Sequence, residues 1–421
     1  MKSLDDIALS LQGYDPQSLR MSDANAFIAQ LAQPINGCER LALRQCDGRV
    51  LAEDVVSGMA VPAYDNSAMD GFALNGGALD GRTTLSLRVA GTALAGKAWA
   101  GSIASGECLK VMTGAILPAG LDTVVPHEMT TVQGDTVTIP ADRLRPGDNR
   151  RLRGEDLQLG GIALSKGERL TPAALGLAAS LGIQALAVVR RLKVAYLSTG
   201  DEVQSPGEAL REGAVFDSNR YIVTSLLERL GCEVIELGVV RDEPLALEAA
   251  FRSAAAQADV IISSGGVSVG EADFTKGMMA KLGDVAFWRI AMRPGRPFAL
   301  GRIGGTVLFG LPGNPVAVMV TFLSLVRPAL LQMMGANPRR LPLLQAHSQE
   351  AMRKKAGRTE YQRGIVSTGA DGRLQVRTTG NQGSGVLSSM VQANGLIVLS
   401  HGQGHVAVGD TVDVMMFDGV V

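Results

Sequence analysis

The segment from Ser263 to Lys276, SSGGVSVGEADFTK, has the composition of an anion cradle. It follows an apolar run, ADVIIS, and precedes a helical pattern. Beside Ser264, the glycines Gly265, Gly266 and Gly270 let backbone N–H groups turn toward a bound anion, and a helix N-terminus adds a favourable dipole. The spacing is neither GxGxxG nor GxxxxGK[ST], so it specifies neither a dinucleotide fold nor a P-loop. Glu271 and Asp273 are acidic where a phosphate alone would want positive charge. A divalent cation between carboxylate and phosphate would reconcile the two; equally, Asp273 would serve as a helix N-cap.

Other segments carry related chemistry. Ser198-Thr199-Gly200-Asp201-Glu202 ends another strand-like run, KVAYLS, and Asp242 follows a third in VVRDEP. With two prolines and one glycine fixing the loop, Arg289, Arg293 and Arg296 stand within eight residues, FWRIAMRPGRPF. Guanidinium forks fit oxyanions and keep their charge, so this loop is read as an anion clamp. Leu311-Pro312-Gly313-Asn314-Pro315 is a rigid turn opening a helix at Pro315. Further out lie Asp70-Gly71, which would also suit a hairpin turn, and Met112-Thr113-Gly114. Toward the C-terminus, Arg358, Arg363 and Ser384 would serve as anion ligands or as surface groups. The four histidines stand alone, and no Ser-His-Asp pattern rises above chance.

These residues need elements to place them. From Lys193 onward, strands alternate with helices: KVAYLS, a helix capped by Asp217-Ser218-Asn219 and closed by Gly231, CEVIELGVV, a helix opened by Pro244, ADVIIS, and VLFGL before a long apolar helix. Such alternation predicts a parallel, doubly wound sheet, whose ligands bind at the carboxyl ends of the strands. Thr199–Glu202, Asp242, the loop at Ser264–Gly266 and the Pro312–Pro315 turn each follow such a strand. Residues 58–157 show short apolar runs punctuated by Gly, Pro, Asp and Thr, which predicts a β-rich module. It interrupts a mixed N-terminal linking domain made of residues 1–57 and 158–190. The α/β domain then covers 191–336, and alternating runs with Gly-rich turns over 337–421 predict a small β-barrel. The fold class is thus multidomain, α/β and β.

Composition bounds the function. With 421 residues, 40 basic against 41 acidic side chains and a net charge of −1, nothing marks a nucleic-acid or anionic-membrane surface. Aromatics make up only 4% of the chain, too few for a base-stacking platform. Its 51 glycines exceed the average share of about 7% and signal many tight turns. Four scattered cysteines form no CxxC and no zinc-ligand spacing. The uncharged stretch from Pro172 to Val189 is rich in Ala and broken at Leu181-Gly182, so it reads as a short helix, a turn and a strand rather than a membrane span. The N-terminus places two Asp where a signal peptide would be apolar. A soluble, reduced, cytoplasmic protein is expected.

Together, YDNSAMDGFA, KVMTGAILPAG, STGDE, SSGGVSVGEADFTK, FWRIAMRPGRPFALG and LFGLPGNPVAV resemble the molybdopterin molybdenumtransferase (MoeA) family, which is similar to the E domain of gephyrin. The six motifs occur in that family's order over nearly the whole chain, through QGSG near the C-terminus. The resemblance implies a four-domain subunit with a molybdopterin-binding-like α/β domain, usually in a homodimer. It implies insertion of molybdenum from molybdate into the dithiolene of adenylylated molybdopterin, with release of AMP and with Mg2+ as cofactor. Molybdopterin adenylyltransferase and recipient molybdoenzymes would be partners. By motif, Asp70, Thr113, Glu202 and Asp273 would be catalytic, with Glu202, Asp242 and Asp273 as metal ligands. Ser264, Gly265 and Gly266 would hold phosphate, and Arg289, Arg293 and Arg296 phosphate or oxyanion. Pro312 and Pro315 would shape the pocket, Arg363 and Ser384 would close it, and Asp156 is a weaker candidate. Asp70 and Thr113 would enter from the partner subunit.

One departure is visible. The family usually reads KPGKP where this chain has Arg293-Pro294-Gly295-Arg296-Pro297, and Lys at Arg289. Charge is kept, but the planar guanidinium is not equivalent to an ammonium at an oxyanion site. Two other functions use the same α/β unit, an adenylyltransferase for the same pterin and a non-catalytic pterin carrier. The extra domains count against the first and the retained carboxylates against the second.

Overall fold

The computed structural model describes residues 3–10, 14–267, 274–338 and 341–418. In the α/β domain, β1 (Lys193–Thr199), α1 (Ser218–Leu230), β2 (Glu233–Val240), α2 (Pro244–Gln257), β3 (Val260–Ser264), α3 (Phe274–Leu282), β4 (Asp284–Arg289), β5 (Pro297–Ile303), β6 (Thr306–Leu311) and α4 (Pro315–Thr321) follow in order. The six strands lie in the order β2-β1-β3-β6-β5-β4. β2, β1, β3 and β6 run parallel, as expected from their separation by helices. The other half is not parallel. β5 is antiparallel to both β6 and β4, because only Gly304-Gly305 joins β5 to β6 and a short loop joins β4 to β5. Neither connection has the dozen residues a parallel crossover needs.

Alternate residues of β1 face opposite cores. Val194 and Tyr196 join Val223, Leu227, Ile262 and Phe309 on one side, while Ala195 and Leu197 join Phe251, Ile261 and Leu308 on the other. Burial on both faces explains why these strands read as continuous apolar runs. The N-terminal helix Met21–Leu31 also packs into the first core. Phe27 meets Trp288 of β4 with ring centroids 4.8 Å apart.

Residues after that helix behave differently. Cys38–Ala42 pairs antiparallel with Ala185–Val189, and Val55–Val56 pairs with Ile162 and Leu164. These strands share a core with Leu51, Leu170, Ala174 and Ala178. Helix Pro172–Ser180 starts as the sequence suggests, with the Thr171 hydroxyl accepting from Ala174 N. Between the two arms of this ribbon lies a six-stranded β-rich unit that includes Gly71–Leu74, Glu107–Val111 and Thr123–Pro126. Phe72 and Leu74 face one of its cores and Ala73 the other.

At the C-terminus, Leu344–Ser348, Thr359–Thr368, Leu374–Thr378, Gly395–Leu399 and Thr411–Met416 form a closed five-stranded barrel. Pairing of Thr359–Thr368 with Gly395–Leu399 completes the ring. Met292–Arg293 adds to the barrel strand at Thr359–Glu360, which ties the β4–β5 loop to this last unit. Among the described residues, Pro315–Met333 is the one helical run long and apolar enough to cross a membrane, and most of it is buried in the protein.

Candidate active site at the sheet edge

Strands β1, β3 and β6 end level with one another, Ser198 opposite Ser264 and Ser264 opposite Leu311. Their carboxyl ends therefore present Thr199–Glu202, Gly265–Gly266 and Pro312–Pro315 along a single edge. Gly265 and Gly266 have φ of +90° and +62°. A Cβ on Gly265 would lie 2.4 Å from the Thr199 carbonyl oxygen, and one on Gly266 would lie 2.4 Å from Thr275 Cβ. Only glycine fits this turn. Ser264 is buried, and its hydroxyl is engaged by the Tyr196 phenol at 2.8 Å, so it anchors the root of the loop. Asp273, with Glu271 and Gly270, lies outside the described residues.

Three acids gather at the β1–β2 end of the edge. Asp242 Oδ1 accepts from the Thr275 hydroxyl at 3.0 Å, and the Asp242 N–H donates to Asp201 Oδ1 at 3.2 Å. Glu202 folds its exposed carboxylate back over Gly200. Burial raises the Asp242 pKa above its usual range; the Thr275 hydrogen bond opposes this, and the charges of Asp201 and Glu202 add to it. A cation would relieve that crowding, so the donor set fits a hard divalent ion. Among the described residues no group of three acids, histidines or cysteines forms a ready metal cage. Mg2+ does not demand one, since it is commonly held by one or two carboxylates together with substrate phosphates.

The helix cap read from Asp217-Ser218-Asn219 does more than cap. Asp217 Oδ1 accepts from Arg220 N at 3.0 Å, as an N-cap should. Asn219 Nδ2, however, reaches across β3 to donate to the Gly313 carbonyl at 2.7 Å, fixing the β6–α4 turn. A second polar residue where the cap needs only one was the available signal. Thr199 Oγ1, Asp217 Oδ2, Asn219 Oδ1 and Ser263 Oγ are buried here without partners among the described residues. Such groups are costly unless a ligand or water meets them, and the four of them together make this edge the candidate binding site.

The arginines occupy the opposite end. Arg289 closes β4, opposite Pro297; Arg293 sits in the short pairing with the barrel, opposite Glu360; and the Arg296 carbonyl accepts from Ile290 N at 2.7 Å. All three are exposed, and none forms an ion pair with a described residue. Gly295, at φ +95°, presses on α4, where a Cβ would lie 2.3 Å from Thr321 Oγ1. Four strand spacings separate β1 from β4, about 19 Å. Acids and arginines thus lie toward opposite ends of the same edge.

The barrel contributes from above. Asn314 Nδ2 donates to Ser384 Oγ at 3.1 Å, and Val316 N donates to the Ser384 carbonyl at 3.2 Å. Pro315 starts α4 at its first position, where a missing N–H is harmless, and Pro312 is buried behind it. Arg363 is buried: Nε donates to Ser389 Oγ at 2.9 Å and Nη2 to the Gly383 carbonyl at 2.9 Å. Burial, and then the Arg293 charge, lower its pKa to about 10. Its guanidinium holds the loop that presents Ser384. Between barrel and clamp, Arg293, Arg353, Glu350 and Gln362 line a cleft of about 250 Å³.

Asp70 and Thr113 stand apart in the β-rich unit. Asp70 Oδ1 accepts from both the N–H and the hydroxyl of Thr113, each at 2.7 Å. These bonds, backbone first, hold the exposed Asp70 carboxyl below its usual pKa. Their hydrogen bonds to described residues stay within the β-rich unit.

Comparison with known proteins places the whole arrangement. Residues 19–182 match the MoeA N-terminal region (domain I and II), 195–332 a "Probable molybdopterin binding domain", and 345–417 the MoeA C-terminal region (domain IV). A molybdopterin molybdenumtransferase of Haemophilus influenzae is 42% identical over 381 residues, covering 90% of this chain and 94% of that protein. Gephyrin of Dictyostelium discoideum is 31% identical over 73% of this chain and 48% of its own length. The crystal structure of a molybdopterin biosynthesis MoeA protein from Pyrococcus horikoshii OT3 superposes with a TM-score of 0.81 at 27% identity, covering 95% of this chain and all of that one (100%). The chain belongs to the molybdopterin molybdenumtransferase (MoeA) family.

Proposed function

We propose that this protein is a molybdenum insertase, transferring molybdenum from molybdate to the dithiolene of adenylylated molybdopterin with release of AMP. The observation that carries this reading is the 42% identity to a molybdopterin molybdenumtransferase along 90% of the chain. The separation of acids and arginines on one sheet edge supports it. In this reading the N–H groups of Gly265 and Gly266 hold a phosphate of the pterin nucleotide. Arg289, Arg293 and Arg296 orient molybdate and balance the charge that develops as the phosphoanhydride breaks. Pro312, Pro315 and Ser384 wall the pocket, with Arg363 fixing the Ser384 loop. Holding two anionic reactants in register is most of the task, and no covalent nucleophile is required.

Glu202, Asp242 and Asp273 would hold Mg2+, which when bound neutralises phosphate charge as a Lewis acid. Asp70 and Thr113, both exposed on the β-rich unit, complete the site from a second copy in a homodimer. The domain division proposed is 1–57 with 158–190, 58–157, 191–336 and 337–421, in a cytoplasmic protein. An adenylyltransferase is disfavoured because family regions match on both sides of the α/β domain. The test is AMP release from purified protein given adenylylated molybdopterin and Mg2+: release should require molybdate. Consumption of ATP with free molybdopterin, indifferent to molybdate, would replace this reading with the adenylyltransferase.

A further inference from the structure

Tyr196 is fully buried in β1, on the face that packs against α1. Its phenol lies 2.9 Å from Ser198 Oγ on its own strand and 2.8 Å from Ser264 Oγ at the end of β3. Neither serine hydroxyl has another described partner, and both residues are buried. Three hydroxyls carry three protons but make two hydrogen bonds, so one O–H is always left over. A buried donor without an acceptor is unfavourable, and linked hydroxyls can reverse direction together. When the phenol donates to Ser264 and accepts from Ser198, the unused proton sits on Ser264. That residue runs directly into Gly265, whose own seat is the Thr199 carbonyl at the end of β1.

We infer that Tyr196 is a positioning residue for the anion-binding loop: its hydroxyl ties the ends of β1 and β3 together and leaves the Ser264 O–H free to point toward a phosphate on Gly265–Gly266. The inference rests on the phosphate reading of that loop given above. It assigns a role to a side chain that touches no substrate. A tyrosine that only filled the core would need its ring and not its hydroxyl.

Tyr196→Phe keeps the ring and removes the hydroxyl. In the full-length protein with Mg2+ present, calorimetry with AMP as the probe should show binding weakened about three- to tenfold, the worth of one net hydrogen bond. KM for adenylylated molybdopterin should rise by the same factor while kcat changes less than about twofold. Ser264→Ala, a small and foldable change, should show the same loss, and the double variant should add little to either single one. AMP binding at wild-type strength by both folded variants would overturn the inference alone. A wild-type protein that binds neither AMP nor the pterin nucleotide would overturn the phosphate reading and this inference with it.

Discussion

The Thr275 hydroxyl donates to Asp242 Oδ1 at 3.0 Å, and Thr275 Cβ occupies the space that any side chain at position 266 would need. One residue at the start of α3 thereby sets both the glycine turn and the acid that lies beyond β2. Loop and carboxylate cannot shift independently, which is what a site joining a phosphate to a cation requires.

That contact makes a prediction about pH. The Asp242 carboxyl has a raised pKa in the fold, so it favours the protonated state; its contribution to stability is largest at low pH and is lost as pH rises through the folded value. Cation binding requires the ionised form and should therefore strengthen with rising pH over the same window. Thr275→Val removes the bond that lowers this pKa, so the midpoint of Mg2+ binding should move to higher pH. Calorimetric titration of Mg2+ across pH checks it; superimposable profiles would remove Asp242 from the cation site.

Gly265→Ala should be more damaging than its size suggests. The added methyl would meet the backbone oxygen of Thr199, which cannot rotate away, at a φ that L-residues avoid. A loss of about 1–3 kcal/mol in unfolding free energy is expected, with loss of AMP binding. Denaturant melts and calorimetry together test this. A stable variant that binds AMP normally would mean the loop is not the phosphate seat.

Replacement of Arg293 separates charge from shape. Arg293→Lys should keep measurable activity but need a higher molybdate concentration, since an ammonium keeps the charge but loses the fork. Arg293→Ala should lose molybdate-dependent activity. Equal activity of the two variants would show the loop to be surface only.

Asp70 offers a test of action between subunits. Asp70→Asn should leave the melting temperature nearly unchanged, because the side chain is exposed, yet abolish turnover. Mixing it with Arg293→Ala under conditions of subunit exchange should restore about a quarter of wild-type activity, because half of the dimers are mixed and one of their two sites is intact. No recovery despite confirmed exchange would place Asp70 and Arg293 in the same subunit's site or outside the reaction.

Much of this site was legible in the sequence because strand ends announce themselves. Apolar runs terminating in STGDE, SSGG and LPGNP fix the edge, and a doubly wound order brings the ends level. The antiparallel half was harder to read: RPGRP has the composition of a clamp, while the Gly304-Gly305 hairpin at the other end of β5 is the feature that sets it antiparallel to β6. The motif of Arg363 could not show that burial turns its guanidinium inward, since that depends on the closed barrel. Asn219 was hidden for a similar reason. Its partner, the Gly313 carbonyl, is far along the chain and reaches it only when β6 inserts beside β3.

The most direct test of the insertase claim is a single-turnover reaction with stoichiometric adenylylated molybdopterin, Mg2+ and molybdate, measuring AMP and molybdenum bound to the pterin in the same sample. The account predicts one AMP released for each molybdenum atom inserted, and neither product when molybdate is omitted. AMP released without molybdenum in the pterin, at the same rate with or without molybdate, would contradict it.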